Sequence, residues 1–214
     1  MTNLLSTQSL FDTPDKPAKR DKNYVQPATY AEALRLWSSV EEISQWIRNS
    51  FSYDREKALK ISETDNKLKP QILSPEEFYV NTQGICVDLA RFAYETMLVV
   101  APKLNPKYLM IEFEPLREGK SLLRRHWMIV YQRDSEFYSF ADSKRPGHIS
   151  APFKTMDALI RNYQKYRGRK IVSYQVLVTY QKQRAKKLKR MRRETRRPAA
   201  TMTRSMRASQ APKN

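Results

Sequence analysis

The longest helical pattern in the chain runs from Cys86 to Val100. Apolar residues recur there at three- and four-residue steps and predict a helix of about four turns. Its apolar face consists of Cys86, Leu89, Ala90, Ala93, Met97 and Val100. Two capping boxes, Ser39-Val40-Glu41-Glu42 and Ser74-Pro75-Glu76-Glu77, predict the starts of two further helices.

The second half of the chain favours strands. Runs rich in β-branched and aromatic residues predict strands at 108–114, 126–131, 137–142 and 171–180. The polar residues 132–136 have a common hairpin length. A helix is predicted over 155–166, with Leu159, Ile160 and Tyr163 inward, and the polar segment 55–70 predicts a loop or lid with short helical pieces. Helices followed by an antiparallel sheet predict an α+β domain.

The predicted hairpin brings a histidine and an aspartate together. If Tyr131 faces Phe137, the same register places His126 opposite Asp142 on one face of the sheet, with Cβ atoms roughly 5 Å apart. This separation suits a carboxylate that accepts a hydrogen bond from an imidazole N–H. The prediction depends on the register, because a slip of one residue moves the two side chains to opposite faces.

The only cysteine of the chain, Cys86, stands at the start of the predicted helix. A helix N-terminus favours a thiolate electrostatically, and Gly84 allows close approach of the backbone. The free backbone N–H groups of the first turn, with Gln83 as a side-chain donor, are candidates to stabilise an oxyanion. Cys86, His126 and Asp142 are therefore candidates for a nucleophile, a base and an orienting acid.

Each of these residues also has a purely structural interpretation. A single cysteine is most often a small buried hydrophobe, His126 would be a half-buried strand histidine, and Asp142 would begin a turn. Asp88 is predicted to be structural, as a favourable anion in the first turn of a helix. His148, in a predicted loop, is the competing base. Trp127 is predicted to pack on the sheet or to line the cleft.

The run Gly84-x-Cys86-x-Asp88-x-Ala90, followed by His126-Trp127 and then Asp142, resembles the transglutaminase-like superfamily of papain-type thiol enzymes. The segment Phe51-Ser52-Tyr53-Asp54 is similar to the lead-in of that fold. The resemblance covers residues 29–180. It implies a papain/transglutaminase-like core in which the nucleophile-bearing helix packs on an antiparallel sheet. By this likeness Cys86 is the nucleophile, His126 the base and acid, and Asp142 the group that orients the imidazole.

The activity that the resemblance implies is that of a cysteine hydrolase or acyltransferase. Peptidases, amidases and a smaller number of transglutaminases are included, and they act on protein or peptide substrates without a cofactor. Animal transglutaminases carry Gln-Cys-Trp at the nucleophile, whereas this chain has Ile85-Cys86-Val87, so protein cross-linking is less expected. The oxyanion donor is left open, with Tyr53 and Trp46 as candidates beside Gln83.

The composition fits one domain with a genuine core, since the chain has 214 residues and 40% hydrophobic content. A lone cysteine excludes an intrachain disulfide framework and suits a reducing compartment. It also excludes multi-cysteine zinc sites, and two histidines are few for a metal centre, so no metal is predicted. No signal peptide or membrane-spanning run is evident, and the predicted location is cytoplasmic.

The net charge of +18 is unevenly distributed, because residues 182–214 hold thirteen Lys or Arg and one Glu. This segment is predicted to be a disordered tail, and 181–193 are predicted to form a helix on an anion. The tail is predicted to bind DNA or RNA without sequence preference. The alternatives are that it binds an acidic membrane surface or that it binds nothing. The residues assigned to nucleic-acid binding are Arg184, Lys186, Lys187, Lys189, Arg190, Arg192, Arg193, Arg196 and Arg197.

The sequence therefore divides into a polar, disordered lead segment (1–27), a catalytic domain (28–181) and a basic tail (182–214). The leading hypothesis is an enzyme that forms a thioester at Cys86. The alternative is a non-catalytic, nucleic-acid-associated structural or packaging protein that keeps the fold and binds through its tail.

Overall fold

The computed structural model of the protein describes residues 19–63, 71–114 and 125–180. The helices are α1 Tyr30–Leu36, α2 Val40–Ser50, α3 Arg55–Glu63, α4 Pro75–Asn81, α5 Cys86–Val100 and α6 Met156–Arg167. The strands are β1 Ser52–Tyr53, β2 Gln83–Gly84, β3 Lys107–Phe113, β4 Arg125–Arg133, β5 Glu136–Phe140 and β6 Ile171–Leu177. The predicted basic tail, and the loop predicted between β3 and β4 except at its ends, lie outside the described residues.

The helix starts confirm the predicted caps. Ser39 and Ser74 each accept a hydrogen bond from the N–H of a glutamate three residues later, and that glutamate accepts from the serine N–H in return. Both boxes satisfy backbone groups that a helix end leaves free. Helix α6 begins after the cap Thr155, and its buried residues include the three predicted to face inward.

The segment 55–70, predicted as a loop or lid with short helical pieces, forms the helix α3 in its first half. Asp54 caps this nine-residue helix by accepting from the N–H of Lys57 at 2.8 Å. Its buried residues include Ala58 and Ile61, one turn apart, and they fix one face of an otherwise polar helix. The second half of the segment lies outside the described residues.

The main sheet has the strand order β5–β4–β3–β6, with every neighbour antiparallel. Helix α6 covers one face, where it buries Leu109, Ile111, Phe113, Met128, Val130, Leu159, Ile160 and Tyr163 in one cluster. Helix α5 packs on the other face, where the rings of Tyr94 and Tyr108 stack at 4.3 Å. This arrangement confirms the α+β class.

Helices α1, α2 and α4 enclose an aromatic cluster against α5. Its members are Tyr30, Trp37, Trp46, Phe78, Tyr79 and Phe92. Trp46 is fully buried and stacks on Tyr79 at 4.9 Å, so this candidate oxyanion donor belongs to the hydrophobic core. None of the described helices is long and apolar enough to cross a membrane.

The predicted hairpin register is wrong by one residue. The turn contains two residues, Asp134 and Ser135, and not five, and both have a positive φ, as a type I′ turn requires. Tyr131 therefore pairs with Tyr138. The polar residues that suggested a longer turn belong to the strands, where Arg133 faces Glu136 across the ladder.

The described chain extends across two units, one that ends at Val178 and a second that begins at Thr179. All the helices and strands given above lie in the first unit. Only residues 179 and 180 of the second are described.

Candidate active site

His126 and Asp142 form a buried pair at one end of the sheet. Nε2 of the imidazole lies 3.0 Å from Oδ1 of the carboxylate, and the two side chains are 0% and 2% exposed. The predicted contact is thus present although the predicted register is wrong. Because the carboxylate lies beside Nε2, Nδ1 is the ring nitrogen on the side away from Asp142.

A break in β5 brings the two residues together. Continued along the strand, the observed register would place Asp142 opposite Trp127, on the face away from His126. The strand instead ends at Phe140, and Ala141 adopts a left-handed conformation with φ of 58°. This single residue redirects the chain, as a β-bulge does, so that Asp142 reaches the face of His126.

Asp142 is held by more groups than the imidazole. Tyr163 donates its hydroxyl to Oδ1 at 3.1 Å, the N–H of Lys144 donates to the same oxygen at 2.9 Å, and Nε of Arg145 donates to Oδ2 at 3.1 Å. Arg167, which is 6% exposed, donates to the Tyr163 hydroxyl at 2.9 Å. The contact with Lys144 is also the turn interaction typical of aspartate, so the structural interpretation of Asp142 is met alongside its contact with His126.

These partners decide the charge of Asp142. Burial alone would raise the pKa of this carboxyl, but the hydrogen bond and charge of His126, with the charges of Arg167 and Arg145, outweigh it and hold the pKa well below its usual range. The carboxylate therefore stays ionised at neutral pH. A pKa that is lower in the folded state contributes stability above the unfolded value, near 3.9, and this contribution is lost as the pH falls further.

Tyr163 contacts both members of the pair, since its ring also stacks on the His126 ring with centroids 5.8 Å apart. We expect Tyr163→Phe to keep the stacking but to remove one donor from the carboxylate and the acceptor of Arg167. The free energy of unfolding in urea should fall by about 1–2 kcal/mol at pH 7.

The matched control is Tyr138→Phe, because Tyr138 is only partly buried and stacks on Tyr131. This variant should lie within about 0.5 kcal/mol of the wild type, as peripheral substitutions usually do. Equal stability of the wild type and Tyr163→Phe would show that the tyrosine hydroxyl does not hold Asp142.

The Gly-x-Cys-x-Asp motif is explained by the first turn of α5. Asp88 is fully buried and bends back so that Oδ2 accepts from the N–H of Ile85 at 2.9 Å. A Cβ at position 84 would lie 2.9 Å from the Cβ of Asp88 and 2.8 Å from Phe78. Glycine is therefore required at position 84, and together with Asp88 it fixes the backbone that carries Cys86.

Substituting Gly84 by alanine tests this account. The added methyl group must displace Phe78 or Asp88, so we expect a loss of about 1–3 kcal/mol in the free energy of unfolding. Gly168→Ala is the control with free space, because no atom lies within 4 Å of its Cβ position. Its positive φ alone should cost about 1 kcal/mol. A smaller loss for Gly84→Ala than for Gly168→Ala would contradict the steric explanation.

The start of α5 lies beside the start of β4. Ile85 and Val87, which flank Cys86, belong to a buried cluster against which Trp127 and Tyr53 pack. Trp127 follows His126 in β4, and strand neighbours alternate between faces, so His126 lies on the α6 face where it meets Tyr163. Cys86 itself is a free cysteine and is 6% exposed.

The remaining predicted site residues have varied positions. Gln83 is exposed and pairs with Ser52 in the short parallel ladder β1–β2. Tyr53 occupies the next rung of that ladder, beside Gly84. His148 lies on the loop that follows Asp142, where its N–H donates to the carbonyl of Arg145 at 2.9 Å. The predicted nucleic-acid-binding residues of the tail lie outside the described residues.

Sequence reasoning missed the roles of Tyr163, Arg145 and Arg167 around Asp142. Arg145 has a local signal, since it lies three residues after the aspartate in a predicted turn. Tyr163 and Arg167 are one helical turn apart, but only the packing of α6 on the sheet brings them to Asp142. In the described parts of the chain, no three His, Cys, Asp or Glu side chains lie together as a metal site requires.

Comparison with known proteins identifies the family. The family model described as a transglutaminase-like domain matches residues 32–142, and the chain belongs to this family. None of the curated proteins compared with the sequence matches it. Among solved structures, calcium-bound LapG of Legionella pneumophila is similar, with 18% sequence identity and a TM-score of 0.40 over 65% of this chain and 67% of LapG. The family match confirms the resemblance found in the sequence.

Proposed function

We propose that this protein is a cysteine hydrolase or acyltransferase that breaks a peptide bond or a glutamine-type amide through a thioester at Cys86. The observation that carries the proposal is the buried His126–Asp142 pair, in which an ionised carboxylate faces Nε2. This pairing leaves Nδ1 to accept the proton of the thiol. A contact between the Cys86 thiol and Nδ1 of His126 completes the triad and is itself part of the proposal.

The first half of the reaction forms the thioester. The Sγ–H proton of Cys86 passes to Nδ1 of His126, and the thiolate attacks the carbonyl carbon of the amide. The oxygen becomes an oxyanion, which first-turn N–H groups of α5 stabilise as hydrogen-bond donors. The N–H of Ile85 is not among them, because it donates to Asp88. The C–N bond then breaks, and the imidazolium gives its proton to the leaving amine.

The second half releases the acyl group. Neutral His126 takes a proton from water, or from an incoming amine, as this nucleophile attacks the thioester. The C–S bond breaks and the proton returns to the sulfur. The product is a carboxylic acid with water and a new amide with an amine. Asp142 keeps its negative charge and stabilises the imidazolium in both halves.

The reactivity of the thiol tests the proposal directly. Iodoacetamide reacts with thiolates far faster than with other groups, and this chain has one cysteine, so the first equivalent added at pH 7 reports on Cys86, with peptide mapping to confirm the position. We expect His126→Gln to slow alkylation at pH 7 by at least about tenfold, since the imidazole no longer accepts the thiol proton. Across a pH series, the difference in alkylation rate between the wild type and His126→Gln should be greatest near neutrality.

The matched control is His148→Gln, which replaces the other histidine and should leave the alkylation rate unchanged. Circular dichroism checks that each variant is folded. Equal rates in all three proteins would mean that His126 and Asp142 are a structural ion pair against α6. Labelling of the wild type only in urea would also contradict the proposal.

The second candidate function rests on the charge of residues 182–214, which carry +12 of the net +18. In this alternative, the protein keeps a transglutaminase-like domain and binds DNA or RNA electrostatically through the tail. Its thiol would be unreactive, and binding would weaken steeply with salt. Removal of residues 182–214 should abolish most binding to a labelled duplex. Full affinity of the truncated chain would exclude the tail as the binding segment.

A further inference from the structure

A groove of about 840 Å³ lies on the surface of the domain, and the proposed mechanism does not use it. Three segments line it: residues 19–22 of the lead segment, one face of α2, and residues 147–149 of the loop after Asp142. The volume is within the range of ligand-binding clefts, which is about 300–1,000 Å³. The groove is therefore a candidate binding site.

Specific contacts hold two of these segments on α2. In the lead segment, the N–H of Asp21 donates to the side chain of Asn49 at 2.6 Å. In the loop, the carbonyl of Gly147 accepts from Ser44 at 2.7 Å and from Arg48 at 3.0 Å. Gly147 has a φ of 70°, and its Cβ position would lie 2.5 Å from the Cβ of Arg48, so only glycine allows this approach. Both sides of the groove are thus joined to the same helix.

The charge of the groove is positive. Its cationic side chains are Lys19, Arg20, Lys22 and Arg48. Its two carboxylates already have partners, because Glu41 pairs with Arg133 at 3.1 Å and Asp21 accepts from the N–H of Asn23 at 2.9 Å. Desolvation and the positive charges of Arg145 and Arg48 lower the pKa of His148, against the opposing charge of Asp142.

The remaining lining residues indicate what kind of anion fits. The exposed side chain of Gln45 offers an amide group of the kind that hydrogen-bonds a peptide backbone. The side chains of Ser44 and Asn49 already bond Gly147, Asp21 and Gln45 and fix the shape of the groove. The groove lining includes no Phe, Tyr or Trp on which a base would stack, which disfavours single-stranded nucleic acid. The basic tail of the chain itself is excluded by its like charge.

We infer that this groove binds an extended acidic segment of a protein substrate, through its Lys and Arg side chains. The inference rests on the proposed function, since it makes the groove a docking site for the chain to be cleaved. The loop that carries Asp142 also forms one side of the groove, so a bound segment contacts the same loop that holds the carboxylate proposed to orient His126. Binding of an acidic segment away from the cleaved bond would let the protein select substrates that carry such a segment.

The test uses the full-length Cys86→Ala protein, which binds without cleaving. The probe is a fluorescein-labelled peptide of alternating Glu and Gly, measured by anisotropy against its Gln–Gly counterpart. Arg20→Glu with Lys22→Glu should weaken binding of the acidic peptide at least about tenfold. Arg20→Gln with Lys22→Gln should give a smaller loss. The control Arg161→Glu with Lys165→Glu changes the net charge equally on exposed positions of α6 and should cost less than about twofold.

Two results would overturn the inference. If the groove and α6 variants lose equal affinity for the acidic peptide, the peptide is attracted by the overall charge of the protein and not by the groove. Weakened binding of an oligothymidylate, with unchanged binding of the acidic peptide, would assign the groove to nucleic acid. Because none of these measurements needs turnover, an inert Cys86 would defeat the proposed function and leave groove binding standing, and the reverse also holds. Circular dichroism confirms folding of every variant.

Discussion

Replacing Cys86 with alanine is expected to abolish turnover of amide bonds, with a loss of at least about a thousandfold. The substitution removes the sulfur that forms the thioester and leaves the rest of the first turn of α5 in place. The assay is a peptide library incubated with each protein, in which mass spectrometry counts new termini and glutamine deamidation. The same samples with an added primary amine measure acyl transfer.

The stability of Cys86→Ala shows whether a loss of turnover comes from the missing thiol or from unfolding. Cys86 is small and nearly buried, so alanine should change the free energy of unfolding by no more than about 1 kcal/mol. Tyr138→Phe serves as the activity control and should retain wild-type turnover, since Tyr138 belongs neither to the proposed triad nor to the lining of the groove. A Cys86→Ala protein that is folded and still cleaves the library would remove the cysteine from the mechanism.

The largest expected effect on stability belongs to Asp88. Its carboxylate joins three segments: Lys57 of α3 donates at 2.7 Å, the N–H of Leu73 donates at 2.9 Å, and the N–H of Ile85 donates at 2.9 Å. The Asp88 side chain has no exposure and that of Lys57 has 21%. Asp88→Ala leaves an ammonium group and two N–H donors without their acceptor, so we expect a loss of about 3–5 kcal/mol.

Urea unfolding at pH 7 measures this loss. The control is Glu95→Gln, which removes the negative charge of a partly buried i,i+4 pair with Arg91 but keeps an oxygen that accepts, and it should cost less than about 0.5 kcal/mol. A loss below about 1 kcal/mol for Asp88→Ala would show that solvent replaces the carboxylate. It would also refute the account of the Gly-x-Cys-x-Asp motif, in which Asp88 sets the backbone around the cysteine.

Local signals made much of the fold predictable from the sequence. Capping boxes at Ser39 and Ser74 fixed helix starts because the interacting groups are three residues apart, and the apolar period of α5 was long enough to be unambiguous. Helix α3 was predicted only as short helical pieces within a loop or lid, because few of its residues are buried. Helix α1 was missed although Thr29 caps it and Glu32 follows at the same spacing as in the two boxes.

The candidate site was predictable in its residues but not in its geometry. The pairing of His126 with Asp142 was found by a register that the structure does not have. The left-handed conformation of Ala141 compensated for the error, and no side-chain preference signals such a conformation at alanine. Tyr163 reaches Asp142 only through the packing of α6 on the sheet, a long-range contact that periodicity does not reveal.

The contact of Tyr163 with Asp142 has a consequence for when the protein becomes competent. The ribosome completes Cys86, His126 and Asp142 before α6, yet the Tyr163 hydroxyl that donates to the aspartate and the Arg167 guanidinium that donates to this hydroxyl both come from that later helix. A nascent chain without α6 therefore lacks two of the groups that position Asp142 beside His126. For a protein proposed to cleave amide bonds, this order of synthesis keeps the emerging polypeptide inert until α6 has been made.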